Sequence, residues 1–250
     1  MGGQTIACGT MEKLIYVATL PTELGPTEVR TTMLDVVAPK LLALGVHGLT
    51  MDLDDEHAQV PPPMPPPADE NYVRAIVSVW VDAYDYREPI EAVLRKNTEC
   101  IHGYQAVESM YRDYGDNQWS AARDWPDGTR SPGILTVSLI EQKRGMDFED
   151  WITFWHTKQS PMSERVQPRA RYVRNAIFRS ITPDAPPYKA VVEEAWPTVE
   201  DLTDPMRFYN GNGDQATMNA NLTEMLEHVG TFIDFDSFRN LTLSEWILKS

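Results

Sequence analysis

Cysteine is scarce in this chain of 250 residues, where it occurs only as Cys8 and Cys100. Two cysteines cannot form a disulfide framework, and they cannot by themselves make a zinc site. No apolar run reaches the roughly 20 residues that a transmembrane helix needs. The N-terminus lacks a basic stretch followed by an apolar one, so we predict a cytoplasmic protein with no secretion signal, in which residues 1–11 form a flexible leader.

Basic residues are also few relative to acidic ones. The chain has 22 Lys and Arg against 37 Asp and Glu, a formal net charge of −15. Nucleic-acid phosphates and anionic lipids would be repelled, so we expect neither a nucleic-acid nor a membrane partner. Phosphate-cradling glycine loops, nucleophile elbows and paired-histidine metal motifs are absent from the sequence. The sequence therefore predicts no metal site.

The apolar patterns follow the same order twice. The first set predicts strand 12–20, helix 27–44 with a kink at Pro39, strands 46–53 and 71–82, helix 88–98 and strand 100–111. The second predicts strand 133–141, helix 147–158 ended by Pro161, strands 170–181 and 188–196, helices within 198–232 and strand 240–248. Each set is the β-α-β-β-α-β order of a ferredoxin-like unit. We predict a first half at 12–112, a linker or lid at 113–132 in which Trp119 and Trp125 cap a pocket, and a second half at 133–250.

Two helices cover only one face of a four-stranded sheet, so the other face needs a partner. Two halves in one chain can face their open sheets together, which predicts an α+β fold with an intramolecular α/β barrel. Strand 71–82 agrees, with Val73, Ala75, Val77, Val79 and Val81 on one face and Tyr72, Arg74, Ile76, Ser78, Trp80 and Asp82 on the other. The mixed second face fits either a ligand-lined interior or an ordinary half-exposed sheet.

The most informative stretch is 145–162, Gly-Met-Asp-Phe-Glu-Asp-Trp-Ile-Thr-Phe-Trp-His-Thr-Lys-Gln-Ser-Pro-Met. Gly145 breaks a strand and Asp147 can cap an amphipathic helix. The segment resembles the EthD-type members of the dimeric α/β-barrel superfamily, with Phe154-Trp155 and Ser160-Pro161 at the family's aromatic pair and small-residue–proline pair. The family's histidine position is Gln159. The resemblance covers most of 133–248, and 12–112 only by element order.

The resemblance implies a small-molecule substrate and chemistry that usually needs no cofactor: isomerisation, dehydration, cyclisation, lyase cleavage or oxygenation of aromatic or polyketide-like compounds. Our leading hypothesis is a cofactor-independent enzyme of the lyase, isomerase or dehydratase type that moves a proton beside a carbonyl or phenol. Gln159 favours an alternative, a non-catalytic ligand-binding or accessory barrel. Weaker alternatives are a cofactor-free monooxygenase and a haem-handling barrel with His102 as axial ligand. A homodimer is left open.

Two residues are candidates for the proton transfer. His102 lies on strand 100–111 beside Tyr104, on the face expected to point into the barrel, and histidine exchanges protons near neutral pH. Its other interpretation is a histidine bonded to a neighbouring side chain. The segment 191–196 resembles the family strand that carries a glutamate, which favours Glu193 over Glu194 as the inward residue. Burial in an apolar barrel would raise its pKa and make it a base, whereas a strand-end ion pair is the plainer interpretation.

The segment Arg171-Tyr172-Val173-Arg174-Asn175 resembles the family's Arg-Tyr-Val-x-Asn strand. Either Arg171 and Asn175 or Tyr172 and Arg174 face inward. Arg174 or Asn175 could bind an oxyanion, or could pair with acidic residues across the sheet. We predict one buried cavity that touches Trp80, His102 and at least one of Glu193, Arg174 and Asn175. The predicted substrate-binding set is Trp80, Tyr104, Arg174, Asn175, Tyr172, His47 and Arg74.

Overall fold

The computed structural model describes residues 11–64, 72–114 and 123–250. Trp119 and all of the predicted leader except Met11 lie outside these ranges. The first half contains β1 (Glu12–Thr19), α1 (Pro26–Thr31), α2 (Ala38–Ala43), β2 (Gly48–Leu53), β3 (Val73–Val81), α3 (Glu88–Arg95) and β4 (Cys100–Arg112). The second contains β5 (Ile134–Ile140), α4 (Phe148–Phe154), α5 (Ser160–Val166), β6 (Arg171–Ser180), β7 (Ala190–Trp196), α6 (Val199–Thr203), α7 (Pro205–Phe208), α8 (Gln215–Phe232) and β8 (Arg239–Lys249).

The strands close into one antiparallel barrel in the order β1-β3-β2-β8-β5-β7-β6-β4, and β4 pairs with β1. The order within the first half is β4-β1-β3-β2, and the second half repeats it as β8-β5-β7-β6. The halves meet at the β2–β8 and β4–β6 pairs. The predicted fold class, two ferredoxin-like halves forming an intramolecular barrel, is confirmed.

Side-chain alternation separates the barrel interior from the layer under the helices. On β3, Ala75, Val77, Val79 and Val81 pack beneath the first-half helices, as predicted. Ile76 instead points inward, where it joins an apolar cluster with members from both halves. That cluster includes Ile15, Val17, Leu135, Val137, Leu139, Leu241 and Leu243.

The prediction for Val73 was wrong. Val73 belongs to the interior cluster and not to the layer under the helices. The reason is a shift in the β1–β3 register between Ala18 and Thr19, which interrupts the alternation at this end of β3.

The two prolines predicted to disturb helices each follow a wide π-helical turn. The turn Thr32–Val37 precedes Pro39 in α2, and the turn Trp155–Gln159 precedes Pro161 in α5. The helix does not end at Pro161 as predicted, because a proline in the first turn of a helical segment loses no required N–H donor. No helix within the described ranges is both long enough and apolar enough to cross a bilayer.

Candidate functional site at the barrel mouth

A cavity of about 720 Å³ opens at the barrel end where β1 begins and β3 ends. We call it the mouth cavity, and its lining includes His47, Trp80, Glu108, Trp125 and Arg171. Gly48 lets the Trp80 ring lie against the backbone of β2, because a Cβ atom at Gly48 would be 2.8 Å from the Trp80 ring. The volume is in the range of small-molecule sites.

Four charged side chains are buried inside the barrel next to this cavity. Lys13, Arg171, Glu193 and Glu245 come from β1, β6, β7 and β8, and we call them the buried network. Lys13 Nζ is 3.4 Å from Glu193 Oε1, and Arg171 Nη1 is 3.3 Å from Glu193 Oε2. Arg171 Nη1 is also 2.5 Å from Glu245 Oε1. Two cations therefore face two carboxylates in the interior.

Neutral groups complete the hydrogen bonds of both carboxylates. Asn175 Nδ2 donates to Glu193 at 2.9 Å, while the Tyr114 hydroxyl and Ser131 Oγ donate to Glu245 at 3.0 and 2.5 Å. Buried charged groups require hydrogen-bond partners of this kind. Because each of the two carboxylates has donors from separate segments of the chain, the network is held in one arrangement.

The buried network reaches the mouth cavity at two points. Arg171 lines the cavity directly. Lys13 Nζ donates to Glu108 Oε2 at 2.6 Å, and Glu108, whose side chain is 26% exposed, also lines the cavity. A ligand in the cavity would thus meet a guanidinium and a carboxylate that are both connected to the interior.

Glu193 is ionised, contrary to the predicted raised pKa. Burial alone would raise the pKa of Glu193, but the charges of Lys13 and Arg171 and the hydrogen bond from Asn175 hold it below its usual value. Burial likewise opposes the charge on Lys13, yet Glu193 and Glu108 raise the pKa of Lys13 above its usual value. Both members of this pair are charged at neutral pH.

Asp52 on β2 is the acid that the sequence analysis missed. It is 1% exposed, faces the interior opposite Glu245, and its Oδ1 atom has no hydrogen-bond partner among the described residues. Burial, together with repulsion from Glu193 and Glu245, raises the pKa of Asp52 well above its usual value. Asp52 lies between the apolar residues Met51 and Leu53 on β2, and this alternation indicates that it points to the opposite face of the strand.

The opposite pKa shifts predict opposite pH dependences for two variants. The raised pKa of Asp52 means that its stabilising effect is complete below the ordinary value of about 3.9 and is lost as the pH rises, so Asp52→Asn should gain stability relative to the wild type above that value. The lowered pKa of Glu193 means that its stabilising effect is complete above about 4.3 and is lost as the pH falls. Glu193→Gln should therefore be least stable relative to the wild type above that value. Urea unfolding on both sides of these values measures the two effects, and parallel curves for the two variants would contradict the assignment.

The alternative left open for strand 170–181 is now decided. Asn175 and Arg171 face the interior, and Tyr172 and Arg174 face outward. Arg174 donates to Ser160 Oγ at 3.1 Å, and the Tyr172 hydroxyl accepts from Trp155 Nε1 at 3.0 Å. Arg174 and Tyr172 therefore do not reach the mouth cavity.

His102 lies toward the other end of the barrel. It pairs with Val17, whereas Trp80 pairs with Lys13, and four residues along β1 amount to about 13 Å. Its ring is 3.7 Å from Cys100 Sγ, and burial lowers the pKa of His102. The mouth cavity therefore includes Trp80 but not His102, and its described lining contains none of Glu193, Arg174 and Asn175, so the predicted single cavity is not found. The position of His102 lends no support to the haem-ligand hypothesis.

Three more predicted residues have partners of their own. Tyr104 is inside the barrel, where its hydroxyl donates to the Pro186 carbonyl at 2.9 Å. Arg74 is at the end opposite the mouth, with Nε 3.0 Å from Asp54 Oδ2. His47 lines the mouth cavity, and its Nε2 is 2.8 Å from Asp82 Oδ1. Of the predicted substrate-binding set, His47 and Trp80 line the mouth cavity, and Asn175 donates to the buried network. Glu193, predicted as a proton-transfer residue, is a member of that network.

A second cavity of about 140 Å³ lies between the second-half sheet and its helices. We call it the helix-side cavity, and Trp155, Gln159 and Tyr172 are among its lining residues. Gln159 Nε2 lies 3.4 Å from Met225 Sδ. The position where the EthD-type pattern has histidine therefore lies on the outer side of the sheet, away from the buried network.

No family model matches the chain, and no curated protein matches it significantly in sequence. Among solved structures, an anthrone oxidase-like protein is similar over 96% of this chain and 94% of its own, at 6% identity and a TM-score of 0.53. The chain has the dimeric α/β-barrel fold. Two other solved structures have lower TM-scores. A "putative monooxygenase" from Lactobacillus acidophilus has a TM-score of 0.48 at 10% identity, over 96% of this chain and 97% of its own. A mutant chlorite dismutase from Candidatus Nitrospira defluvii has a TM-score of 0.45 at 6% identity, over 95% of this chain and 92% of its own. At identities this low, the similarity concerns the fold alone.

Proposed function

We propose that the protein is a cofactor-independent enzyme that moves a proton within a small aromatic or polyketide-like compound bound in the mouth cavity. The observation that carries the proposal is the buried network, which ends in the cavity wall at Arg171 and Glu108. The lowered pKa of Glu193 and the raised pKa of Asp52 add support, because carboxyl groups with divergent pKa values often mark acid–base sites.

Binding would use the aromatic and cationic walls of the cavity. Trp80 and Trp125 offer planar apolar surfaces to a ring, and Arg171 offers a guanidinium to a carbonyl, enolate or phenolate oxygen. Lys13 Nζ lies 4.7 Å from the centroid of the Trp80 ring, so a second positive charge adjoins the same wall. This arrangement favours a planar substrate with a polarised oxygen.

Glu108 is the proposed proton acceptor, because its carboxylate reaches the cavity. The proton would leave the carbon beside the carbonyl, and the resulting negative charge on the oxygen would face Arg171. Lys13 holds Glu108 in place, and Glu193 in turn positions Lys13. In this proposal Glu193 is a positioning residue, while His102 has no role because it lies at the other end of the barrel.

Deuterium exchange tests the proposal even while the natural substrate is unidentified. The protein is incubated in deuterium oxide with a panel of β-keto compounds and hydroxyaryl ketones, and NMR follows exchange at the carbon beside the carbonyl. We expect saturable acceleration for part of the panel. An oxygen electrode run in parallel separates proton transfer from cofactor-free oxygenation. Panel compounds that bind the mouth cavity without any exchange or conversion would contradict the proposal.

A non-catalytic ligand-binding barrel is the second candidate, favoured by Gln159 at the family's histidine position. It predicts binding that changes tryptophan fluorescence and weakens in Trp80→Ala, with no turnover of any bound compound.

We also propose EthD-type ancestry and a tandem origin of the halves 12–112 and 133–250. Support comes from the π-helical turn followed by a small residue and proline, Ala38-Pro39 in one half and Ser160-Pro161 in the other.

Gln159→Ala should leave turnover within a few-fold of the wild type. Gln159 lines the helix-side cavity and not the mouth cavity, and a glutamine amide does not exchange a proton with substrate near pH 7. Initial rates in the exchange assay measure the effect. A loss of about a thousandfold in a variant that still folds and binds would instead place the chemistry on the helix side of the sheet.

A further inference from the structure

Two side chains in the wall of the mouth cavity carry buried hydrogen-bond donors without partners. Arg123 and Trp125 both line the cavity, and neither Arg123 Nη1 nor Trp125 Nε1 has a hydrogen-bond partner among the described residues. A buried N–H group without an acceptor has lost its bond to water and gained no other bond. A ligand with an oxygen acceptor would supply the missing bond. These donors therefore indicate a second polar contact for a ligand, in addition to Arg171.

Arg123 belongs to a segment that is attached to β8. Gly128 N donates to the Ile247 carbonyl at 2.8 Å, and Ser250 N donates to Asp127 Oδ2 at 3.0 Å. Arg123 Nη2 lies 2.5 Å from Asp127 Oδ1, so the salt bridge uses Nη2 and not Nη1. The guanidinium is thus anchored through one nitrogen to a segment that backbone hydrogen bonds hold against the barrel.

Trp125 is connected to the buried network through Tyr114. The two ring centroids are 4.9 Å apart in an edge-to-face arrangement, and the Tyr114 hydroxyl donates to Glu245. Arg171 Cζ lies 5.8 Å from the centroid of the same tyrosine ring. Because Trp125 and Arg171 both adjoin Tyr114, their donors belong to one part of the cavity wall. A planar ligand with one oxygen at Arg171 can therefore present another oxygen to Trp125 and Arg123.

The charges around these donors favour a neutral acceptor over an anionic one. The positive charge of Arg123 is already balanced by Asp127. Glu108 and Asp113 are further carboxylates in the described lining of the cavity. A ligand carboxylate would be repelled by these like charges, and the repulsion is stronger where water is partly excluded. A carbonyl oxygen accepts an N–H donor without adding charge.

We propose that the substrate of the mouth cavity is a neutral planar compound with two carbonyl oxygens, one facing Arg171 and the other accepting from Arg123 Nη1 and Trp125 Nε1. Arg123 and Trp125 then determine specificity, because a compound with a single carbonyl leaves their donors unpaired. This inference rests on the proposed function, which places one substrate oxygen at Arg171. It adds the second acceptor and its neutral charge.

Calorimetric titration of the full chain with three aryl ketones tests the inference. The compound para-diacetylbenzene has two carbonyl groups, para-isopropylacetophenone replaces one of them by an apolar group of similar shape, and para-acetylbenzoate replaces it by a carboxylate. We expect para-diacetylbenzene to bind about tenfold more tightly than para-isopropylacetophenone, as recovered hydrogen bonding allows, and para-acetylbenzoate to bind least tightly. Trp125→Phe and Arg123→Met should each lower the preference for the diketone several-fold, since each removes one donor.

Arg165→Met is the control variant. Arg165 forms an exposed salt bridge with Glu224 and does not line the mouth cavity, so the preference of this variant should equal that of the wild type. Urea unfolding confirms that each variant is folded before titration. Equal affinities for the diketone and the isopropyl ketone, tightest binding of para-acetylbenzoate, or an unchanged preference in both Trp125→Phe and Arg123→Met would overturn the inference.

The same ketones enter the deuterium-exchange assay, which keeps this inference distinct from the proposed function. A preference for the diketone that depends on Arg123 and Trp125, without exchange in any compound, would support this inference and contradict the proposed function. Exchange in both neutral ketones without a difference in affinity would contradict this inference alone.

Discussion

Replacing Arg171 by methionine is expected to lower the free energy of unfolding by about 3–5 kcal/mol, the usual cost of removing one partner from a buried ion pair. Arg171 binds Glu193 and Glu245 together, and both carboxylates are at most 2% exposed. The substitution leaves two buried negative charges with only Lys13 nearby among the described cations. Urea denaturation at pH 7 measures the loss.

Arg174→Met is the matched control, because Arg174 lies on the same strand and faces outward. Its described polar partners are the hydroxyl groups of Ser160 and Ser109, so its removal leaves no buried carboxylate without its cation. We expect a loss of about 1 kcal/mol for each hydrogen bond removed. Equal losses for the two variants would show that the buried network adds little to stability. Combining Arg171→Met with Glu245→Gln should recover part of the loss, since the two changes act on one contact.

Glu108→Gln is expected to reduce turnover by about a hundredfold or more, the usual range for loss of a general base. The amide keeps the size of the side chain but cannot take the proton, and it no longer balances the charge of Lys13. Because Glu108 is partly exposed at the cavity, the fold should be retained. Initial exchange rates, with urea unfolding of the same preparation, measure both effects.

Glu164→Gln provides a closely matched control for this prediction. Glu164 is 28% exposed and pairs with Arg112 at 2.6 Å and with the buried Arg169 at 3.4 Å, while Glu108 is 26% exposed and pairs with the buried Lys13. Glu164 is on α5 and does not line the mouth cavity. Its variant should turn over substrate within a few-fold of the wild type. Similar rates for both variants would exclude Glu108 as the base.

The alternation of side chains along single strands could be predicted from the sequence. It placed Ala75, Val77 and Val79 under helices and Trp80 on the interior face, because neighbouring side chains on a strand point to opposite sides. Element order predicted the two halves and the closed barrel, since each four-stranded sheet had one face without cover. These inferences depend on local periodicity and on the requirement to bury apolar surface.

Depth along the barrel could not be predicted in the same way. His102 and Trp80 both lie on interior faces, but alternation does not say at which end of the barrel a residue lies, and pairing with β1 separates them. The choice between Arg171 with Asn175 and Tyr172 with Arg174 also stayed open, because both pairs alternate equally well. Closure of the barrel through β4 and β6 decided it.

The sequence by itself determined which residues are strands, which faces are apolar and that two sheets must meet. Only the tertiary structure decided the charge states of the interior. The pKa of Glu193 is lowered because Lys13, 180 residues away in the chain, lies 3.4 Å from it and Arg171 lies nearby, whereas the pKa of Asp52 is raised by burial and by repulsion from Glu193 and Glu245. A pKa depends on the distances between charges and on their exclusion from water, and strand pairing across the closed barrel sets both.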